Sequence, residues 1–245
     1  MRTLNRLLLI AFRNVHSHWR QSLAVLLSIS ASFFAFAIFE GYMKNLIEQY
    51  DVGYRQRSML GDLLVENKSL QKEEGKGDPW IFLITNEQQK AIIDFTERHK
   101  DLIYERVRFL RFQGLIQNGK TSSIFLGSGY DLQEGNLVRG ADWSWNAAYG
   151  IPLHQAKNST AIALGQGLGK IMGCNPIQKV RLMNKKARYE PTLRPYECQQ
   201  ENVQLSMTTE SGALNAQSLQ VVGMIDGGYQ DIDRRYVMTS IENAQ

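Results

Sequence analysis

The chain has 245 residues, with 28 basic and 24 acidic side chains and a formal net charge of +4. Four of its arginines lie in residues 1–20, which contain no acidic residue, so the remainder carries 24 side chains of each sign. A balanced remainder excludes the extended basic surface that nucleic-acid-binding proteins use, and we expect no nucleic-acid partner.

Residues 21–39 form a run without any charged side chain. At ~1.5 Å per residue this run extends roughly 28 Å as a helix, close to the ~30 Å hydrocarbon core of a bilayer. The sequence therefore predicts a transmembrane helix over residues 21–42. Arginines and aromatic residues of the kind found at water–lipid interfaces flank it, and four are predicted to lie there: Arg13, Trp19, Arg20 and Tyr42.

The arginine-rich residues 1–20 predict the orientation, because positively charged flanks stay in the cytoplasm. The remainder of the chain would then lie in the periplasm, beyond a bacterial inner membrane that the chain crosses once. A cleavable signal peptide is the alternative, with a possible cleavage site at Ala35-Phe36-Ala37. A retained span is favoured because the apolar run is longer than the ~7–15 residues of a signal core. The apolar period also continues beyond the run and predicts a stalk helix over residues 43–58.

Residues 1–20 have a helical apolar period of their own. The stripe consists of Leu4, Leu7, Leu8, Ala11, Phe12 and Val15. This pattern is typical of a helix that lies in the headgroup region, so we interpret residues 1–20 as a cytoplasmic interfacial amphipathic segment. A long basic region that precedes the span is the alternative.

Residues 59–245 are predicted to form a core domain of mixed α/β character. Strands and helices alternate there without a regular βαβ repeat, so the predicted fold class is α+β. A short strand is expected at residues 62–67. An amphipathic helix is expected at residues 86–100, with Thr85 or Asn86 as N-cap and a buried stripe of Ala91, Ile92 and Phe95.

The dipeptide Asn118-Gly119 predicts a two-residue hairpin turn, because both residues tolerate positive φ. Residues 108–117 and 120–126 would then pair. A short helical turn is expected near residues 131–139 and a helix at residues 165–172. Further strands are predicted at residues 161–164, 179–183, 203–208, 218–224 and 236–239, and Ser240 is expected to cap a final helix.

The glycine-rich residues 164–172 do not match a phosphate-binding loop. A P-loop needs a glycine six residues before its lysine and a hydroxyl residue after it, but these positions hold Leu164 and Ile171. The glycines are better explained by a tight turn and close packing. We predict no catalytic, cofactor-binding or metal-binding residues and no cofactor.

Two cysteines, Cys174 and Cys198, are both placed in the periplasm by this topology. An oxidising compartment permits a disulfide between them, and two unrelated thiols are the alternative. A bridge across roughly 24 residues would contribute on the order of 3 kcal/mol in the chain-entropy model.

Four stretches follow one another along most of the chain. They are L-x-x-A-F-R-N (residues 8–14), F-E-G-Y-M (39–43), A-I-A-L-G-Q-G-L-G-K-I-M-G (161–173) and N-A-Q-S-L-Q-V-V-G-M-I-D-G-G-Y-Q-D-I-D-R-R-Y-V (215–237). Together they resemble the permease subunits of lipoprotein-releasing, macrolide-efflux and FtsX-like ABC transporters. The positions that match the family's motifs are Gly165, Gly167, Asn215, Ala216, Gly223, Gly228 and Asp233.

The resemblance implies a non-catalytic permease that couples a cytoplasmic ATPase to movement of a periplasmic domain, for export or lipoprotein release. It also implies two partners, an ABC ATPase subunit and a second permease subunit. The family continues into three further spans, whereas this sequence reaches Gln245 without a second long apolar run. We therefore expect a fragment or a truncated product. A membrane-anchored periplasmic binding or scaffold module without transport activity is the alternative function.

Overall fold

The computed structural model describes residues 10, 12–53, 55, 58–68, 83–143, 147–177, 195–209, 211–226 and 230–245. It divides the chain into two units, Met1–Val52 and Gly53–Gln245. The strand predicted at residues 179–183 and the motif position Gly228 lie outside the described residues.

The described residues of the first unit are almost all helical. Helix α1 spans Trp19–Val52, and residues 12–17 before it are also helical, with a turn at His18. The backbone ladder continues through this turn, since the amide of Ser22 donates to the carbonyl oxygen of His18 at 3.0 Å. The segment Trp19–Glu48 is 30 residues long and apolar, which is long enough to cross a membrane.

The second unit mixes strands and helices in the manner of an α+β domain. Its elements are α2 (Asn86–Arg98), β1 (Phe109–Gln117), β2 (Ser122–Tyr130), α3 (Leu132–Trp143), β3 (Tyr149–Gly150), a 3-10 turn (Leu153–Gln155), β4 (Ala161–Gly165), α4 (Gln166–Ile171), β5 (Cys174–Pro176), β6 (Tyr196–Cys198), β7 (Asn202–Thr208), β8 (Leu214–Ile225), α5 (Gln230–Asp233), β9 (Tyr236–Ser240) and α6 (Ile241–Ala244).

Six of the strands form a closed β-barrel in the order β8-β4-β9-β2-β1-β7, with β7 pairing back onto β8. The 12 residues of β8 make this closure possible, because β7 pairs with its first part and β4 with its last part. Strand β3 adds a short pairing at the end of β8, and β5 and β6 form a separate two-stranded ribbon. Because the barrel is closed, each of these six strands pairs with a neighbour on both sides.

The barrel interior is filled by alternate strand residues. Phe112 and Phe125 meet there edge to face, with ring centroids 5.5 Å apart. Gly127 lies opposite Phe112 on the neighbouring strand, and a Cβ at that position would come within 2.5 Å of the phenyl ring. Other buried side chains on the same strand faces include Ile116, Ile162, Leu164, Val203, Leu205, Leu219 and Val237. Burial of each large apolar side chain contributes ~1.5–3 kcal/mol.

A second apolar cluster covers β4 on its other face. Ala161 and Ala163 belong to this cluster, together with Met59, Tyr130, Leu153, Ile225 and Met238. Because β4 is packed on both faces, all five of its residues are buried. This explains why its sequence is a continuous apolar run rather than an alternating one.

Helix α2 confirms the predicted element but not its predicted packing. Thr85 is the N-cap and forms a capping box with Gln88. The predicted buried stripe is wrong, because Ala91 and Phe95 are exposed, Phe95 by 49%, and Ile92 is half-buried. The helix instead makes polar contacts with the chain that leads to β1. A guanidinium nitrogen of Arg106, in that chain, lies 3.3 Å from both Thr96 and Glu97.

The strand predicted at residues 62–67 is also wrong. This segment is irregular, and its apolar side chains Leu63, Leu64 and Val65 are exposed. A strand needs a neighbour to satisfy its backbone groups, and none of the described strands pairs with these residues.

The hairpin of β1 and β2 is confirmed, but its turn differs from the prediction. The strands pair from Gln117 and Ser122 onward, which leaves a loop of residues 118–121. Gly119 has a φ of 82°, whereas Asn118 does not adopt positive φ. The side-chain Oδ1 of Asn118 instead accepts hydrogen bonds from the backbone amides of Lys120 (3.0 Å) and Thr121 (2.8 Å), so this side chain closes a longer loop.

The bounds of the later elements agree closely with those predicted from the sequence. Strands β4, β7 and β9 and helix α4 lie where the pattern predicts them, and Ser240 caps α6 through the amide of Asn243. Strand β8 begins four residues earlier than predicted, at Leu214, because β7 extends along it to Thr208.

Candidate functional site

Three of the motif positions meet where β4 turns into α4. Asp233 reaches this turn from the end of α5, and its carboxylate accepts two backbone hydrogen bonds. The amide of Gln166 donates to Oδ1 at 3.0 Å, and the amide of Gly167 donates to Oδ2 at 2.7 Å. Amides in the first turn of a helix have no partner within the helix, so a carboxylate is a favourable acceptor for them.

The glycines at this turn allow the two segments to touch. A Cβ on Gly165 would overlap the carbonyl oxygen of Asp233, and a Cβ on Gly167 would lie 2.7 Å from Cγ of Arg234. Close backbone approach is a common reason for glycine at such a position. We call Gly165, Gly167 and Asp233 the glycine–aspartate junction. It fixes the β4–α4 turn to the chain that enters β9.

The other motif positions lie elsewhere along β8. Gly223 sits beside β3, where a Cβ would come 2.8 Å from the carbonyl oxygens of Tyr149 and Ile151. Asn215 and Ala216 are exposed at the start of β8, where they pair with β7. The structure therefore brings the third and fourth motif segments together at the junction through Gly165, Gly167 and Asp233, whereas Asn215, Ala216 and Gly223 lie elsewhere on β8.

A disulfide joins Cys174 and Cys198, which lie directly opposite each other on β5 and β6. Cys174 is fully buried. The Tyr196 hydroxyl ties the ribbon to the barrel by donating to the carbonyl oxygen of Val221 at 2.8 Å. Burial, assisted by the charge of Glu201, raises the pKa of Tyr196 to about 12, so this hydroxyl stays protonated.

A charged cluster links the segment before β1 to α3. The Arg108 side chain contacts both Asp131 and Glu134, with its Nε 3.1 Å from a Glu134 oxygen. The Arg108 amide also donates to Glu134 at 3.0 Å. The Glu134 carboxylate raises the pKa of Arg108, chiefly through the side-chain hydrogen bond. The carboxylates of this cluster are neutralised by arginine, and the described residues contain no group of three side chains able to hold a metal ion.

A buried arginine that sequence reasoning did not single out lies in α3. Arg139 is 2% exposed, and its Nη1 donates to the Tyr130 hydroxyl at 3.0 Å. The guanidinium carbon also lies 5.0 Å from the centre of the Tyr130 ring. Burial, followed by the charge of Arg139, lowers the pKa of the nearby His154. Nothing in the sequence around Arg139 distinguishes it from a surface arginine on a polar helix.

The predicted interface residues all lie in the helical unit. Arg13, Trp19, Arg20 and Tyr42 are exposed there. Trp19 and Tyr42 are separated by about 35 Å along the helix axis, at ~1.5 Å per residue. The Arg20 guanidinium lies 5.8 Å from the centre of the Trp19 ring.

A scan of family models found none that matches the chain, and a search of curated proteins found no significant match. The structure defines a coarser class, namely a long apolar N-terminal helix followed by a small β-barrel domain.

Proposed function

We propose that this chain is a non-catalytic permease subunit of an ABC transporter, or the N-terminal part of one. In this proposal a cytoplasmic ATPase and a second permease subunit work with it in export or lipoprotein release. The glycine–aspartate junction carries the proposal. Gly165 and Asp233 belong to two separate motif segments of the permease resemblance, yet they are in contact in the folded domain. A shared structural role would account for the presence of both segments in one chain.

The surface of α1 supports membrane anchoring. The described side chains of Trp19–Glu48 are almost all exposed, including large apolar residues such as Phe33, which is 74% exposed. A helix that is apolar on all sides needs an apolar environment, which the bilayer would supply. The arginines before the span favour a cytoplasmic N-terminus.

The disulfide supports a periplasmic location for the barrel domain. Structural disulfides persist in oxidising compartments and are rare in the cytosol. The bond between Cys174 and Cys198 therefore agrees with the orientation that the arginines favour. Two independent features, one in each unit, therefore support the same proposed topology.

A membrane-anchored binding or scaffold module is the second candidate function. The closed barrel favours it, because small barrels can display binding loops without any moving partner. The two candidates differ in whether an ATPase binds the chain.

The topology is tested with single cysteines and an impermeant maleimide on intact spheroplasts. Lys90→Cys in the barrel unit and Ser17→Cys before the span are both at exposed positions. We expect Lys90→Cys to react in intact spheroplasts and Ser17→Cys to react only after lysis. The reverse pattern, or a mature product cleaved within α1, would contradict the proposed anchoring.

The permease role is tested by purifying the full chain from its native membrane under mild detergent. We expect an ABC ATPase to co-purify and its ATPase rate to change when the chain carries Gly165→Leu. The control variant Ala91→Leu, at an exposed position of α2, should leave the rate unchanged. Purification without any ATPase would favour the scaffold module.

A further inference from the structure

Two arginines and one histidine before and at the start of α1 lie on one helical face, and we call them the cationic row after the arginines. Arg13, His16 and Arg20 follow the spacing i, i+3 and i+7, which places them in one row along a helix. All three side chains are exposed. The helical ladder that continues through His18 keeps the row intact from residue 13 to residue 20.

An apolar row runs beside the cationic one. Phe12, Val15 and Trp19 have the same spacing and are 74%, 54% and 55% exposed. Because each lies one residue before its cationic counterpart, the two rows are about 100° apart around the helix. One side of this segment is therefore suited to acyl chains and the adjacent side to charged headgroups.

The cationic row has no acidic side chain near it within the helical unit. The first acidic residue along the chain is Glu40, about 30 Å from Arg20 at ~1.5 Å per residue. Phe12, Arg13, His16 and Ser17 line a shallow depression in the surface. The ring contact with Trp19 holds Arg20 at the level where the apolar helix begins. A mobile anion of the membrane surface would be the natural counterion.

We propose that Arg13, His16 and Arg20 form a binding site for the phosphate headgroup of an anionic phospholipid. The inference rests on the proposed anchoring of α1 and adds a specific lipid ligand to it. Arginine donates paired hydrogen bonds that match phosphate oxygens, and His16 adds a further polar contact. A zwitterionic headgroup neutralises its own phosphate, so the site would discriminate against it.

The test measures lipid dissociation constants of the detergent-solubilised full chain by native mass spectrometry. The probes are short-chain phosphatidylglycerol and short-chain phosphatidylcholine. Each arginine near an anionic surface contributes about fivefold in affinity, so Arg13→Gln with Arg20→Gln should weaken phosphatidylglycerol binding on the order of 20-fold. Binding of phosphatidylcholine should stay unchanged.

The control is Lys90→Gln with Lys157→Gln, which removes the same charge from exposed positions on the barrel unit. We expect it to leave both lipid affinities unchanged, and far-UV circular dichroism should show equal helix content in all variants. Equal weakening of both lipids, or an equal effect of the control, would overturn the proposal. Inorganic phosphate displacing phosphatidylglycerol at equal concentration would also overturn it, since the site would then select a free anion.

This experiment requires no ATPase. A chain that fails to co-purify with an ATPase can still show the lipid preference, and a chain without the preference can still bind an ATPase. The two proposals therefore fail separately.

Discussion

The Asp233 carboxylate lies against the first turn of α4, with Oδ2 2.7 Å from the amide nitrogen of Gly167. The two residues are 66 positions apart in sequence. Their contact joins the segment that follows β4 to the segment that precedes β9, and these two strands are neighbours in the barrel. One side chain thus fixes the geometry at the ends of two paired strands.

Asp233→Asn tests this contact. An amide side chain has one acceptor oxygen, so it can serve one of the two backbone amides and loses the charge that strengthens both bonds. We expect the free energy of unfolding of the full chain in detergent to fall by about 1–3 kcal/mol, measured by urea titration. Asp231→Asn, at an exposed position in the same helix, is the control and should have little effect. Equal losses in both variants would argue against a capping role.

Gly165→Ala tests the close approach at the same junction. The new Cβ would overlap a backbone oxygen of Asp233, which cannot rotate away, so the segments must separate. Overpacking of this kind costs about 1–3 kcal/mol, visible as a lower melting temperature. Gly167→Ala should cost less, because its nearest obstacle is Cγ of Arg234 at 2.7 Å, which can rotate, and the backbone atoms of Arg234 are farther away, at 3.1 Å. A larger loss at Gly167 than at Gly165 would contradict this explanation.

Reduction of the Cys174–Cys198 disulfide should destabilise the barrel unit. The bond closes a loop with a sequence separation of 24, worth about 3 kcal/mol in the chain-entropy model. We expect the Cys174→Ala, Cys198→Ala double variant to unfold at lower urea concentration than the oxidised chain and to be insensitive to dithiothreitol. The oxidised wild-type chain serves as the reference, with and without reductant. Unchanged stability on reduction would show that the bridge adds nothing to the fold.

Tyr196 should contribute a pH-dependent term to stability. Its pKa rises from 10.0 to about 12 in the folded chain because of burial. The folded state therefore holds its proton more tightly than the unfolded state, so the contribution is complete below pH 10 and disappears as the pH rises toward 12. The measurement is the tyrosinate absorbance of the native chain and of Tyr196→Phe as the pH is raised. The difference between the two titrations should show Tyr196 ionising near pH 12. Ionisation near pH 10 would mean that the hydroxyl is accessible to water.

The sequence predicted the elements whose patterns are local. The helix N-cap at Thr85 or Asn86, the hairpin near Asn118 and the apolar run of β4 were each predicted from residues close together in the chain, and each is found in the structure, with Thr85 as the cap. Barrel closure was not predicted, because it depends on β8 pairing with two strands that no local pattern connects.

The predictions that failed, or that could not be made, concern packing, and they have a common physical cause. Amphipathic periodicity in α2 indicates a helix but does not say what covers its apolar face, and Phe95 remains exposed. The same limit applies to the glycine–aspartate junction. The alternation of Gly165 and Gly167 suggested a tight turn, but Asp233 sits in a polar stretch with other carboxylates and carries no local sign of its partner. Long-range contacts of this kind require the tertiary fold.

The ring of strands sets the order in which the barrel can fold. The β1–β2 hairpin brings together residues that are close in sequence, so it can form early. The pairing of Leu115 with Ser206 instead spans about 90 residues, and its loop-closure entropy must be overcome before the contact is formed. The pairing of Leu126 with Tyr236 spans about 110 residues, so the seam between β2 and β9 has the largest closure cost and closes last. Until β9 has been synthesised and has paired with β2, the barrel interior around Phe112 and Phe125 stays open to solvent, and chaperone protection matters most in that interval.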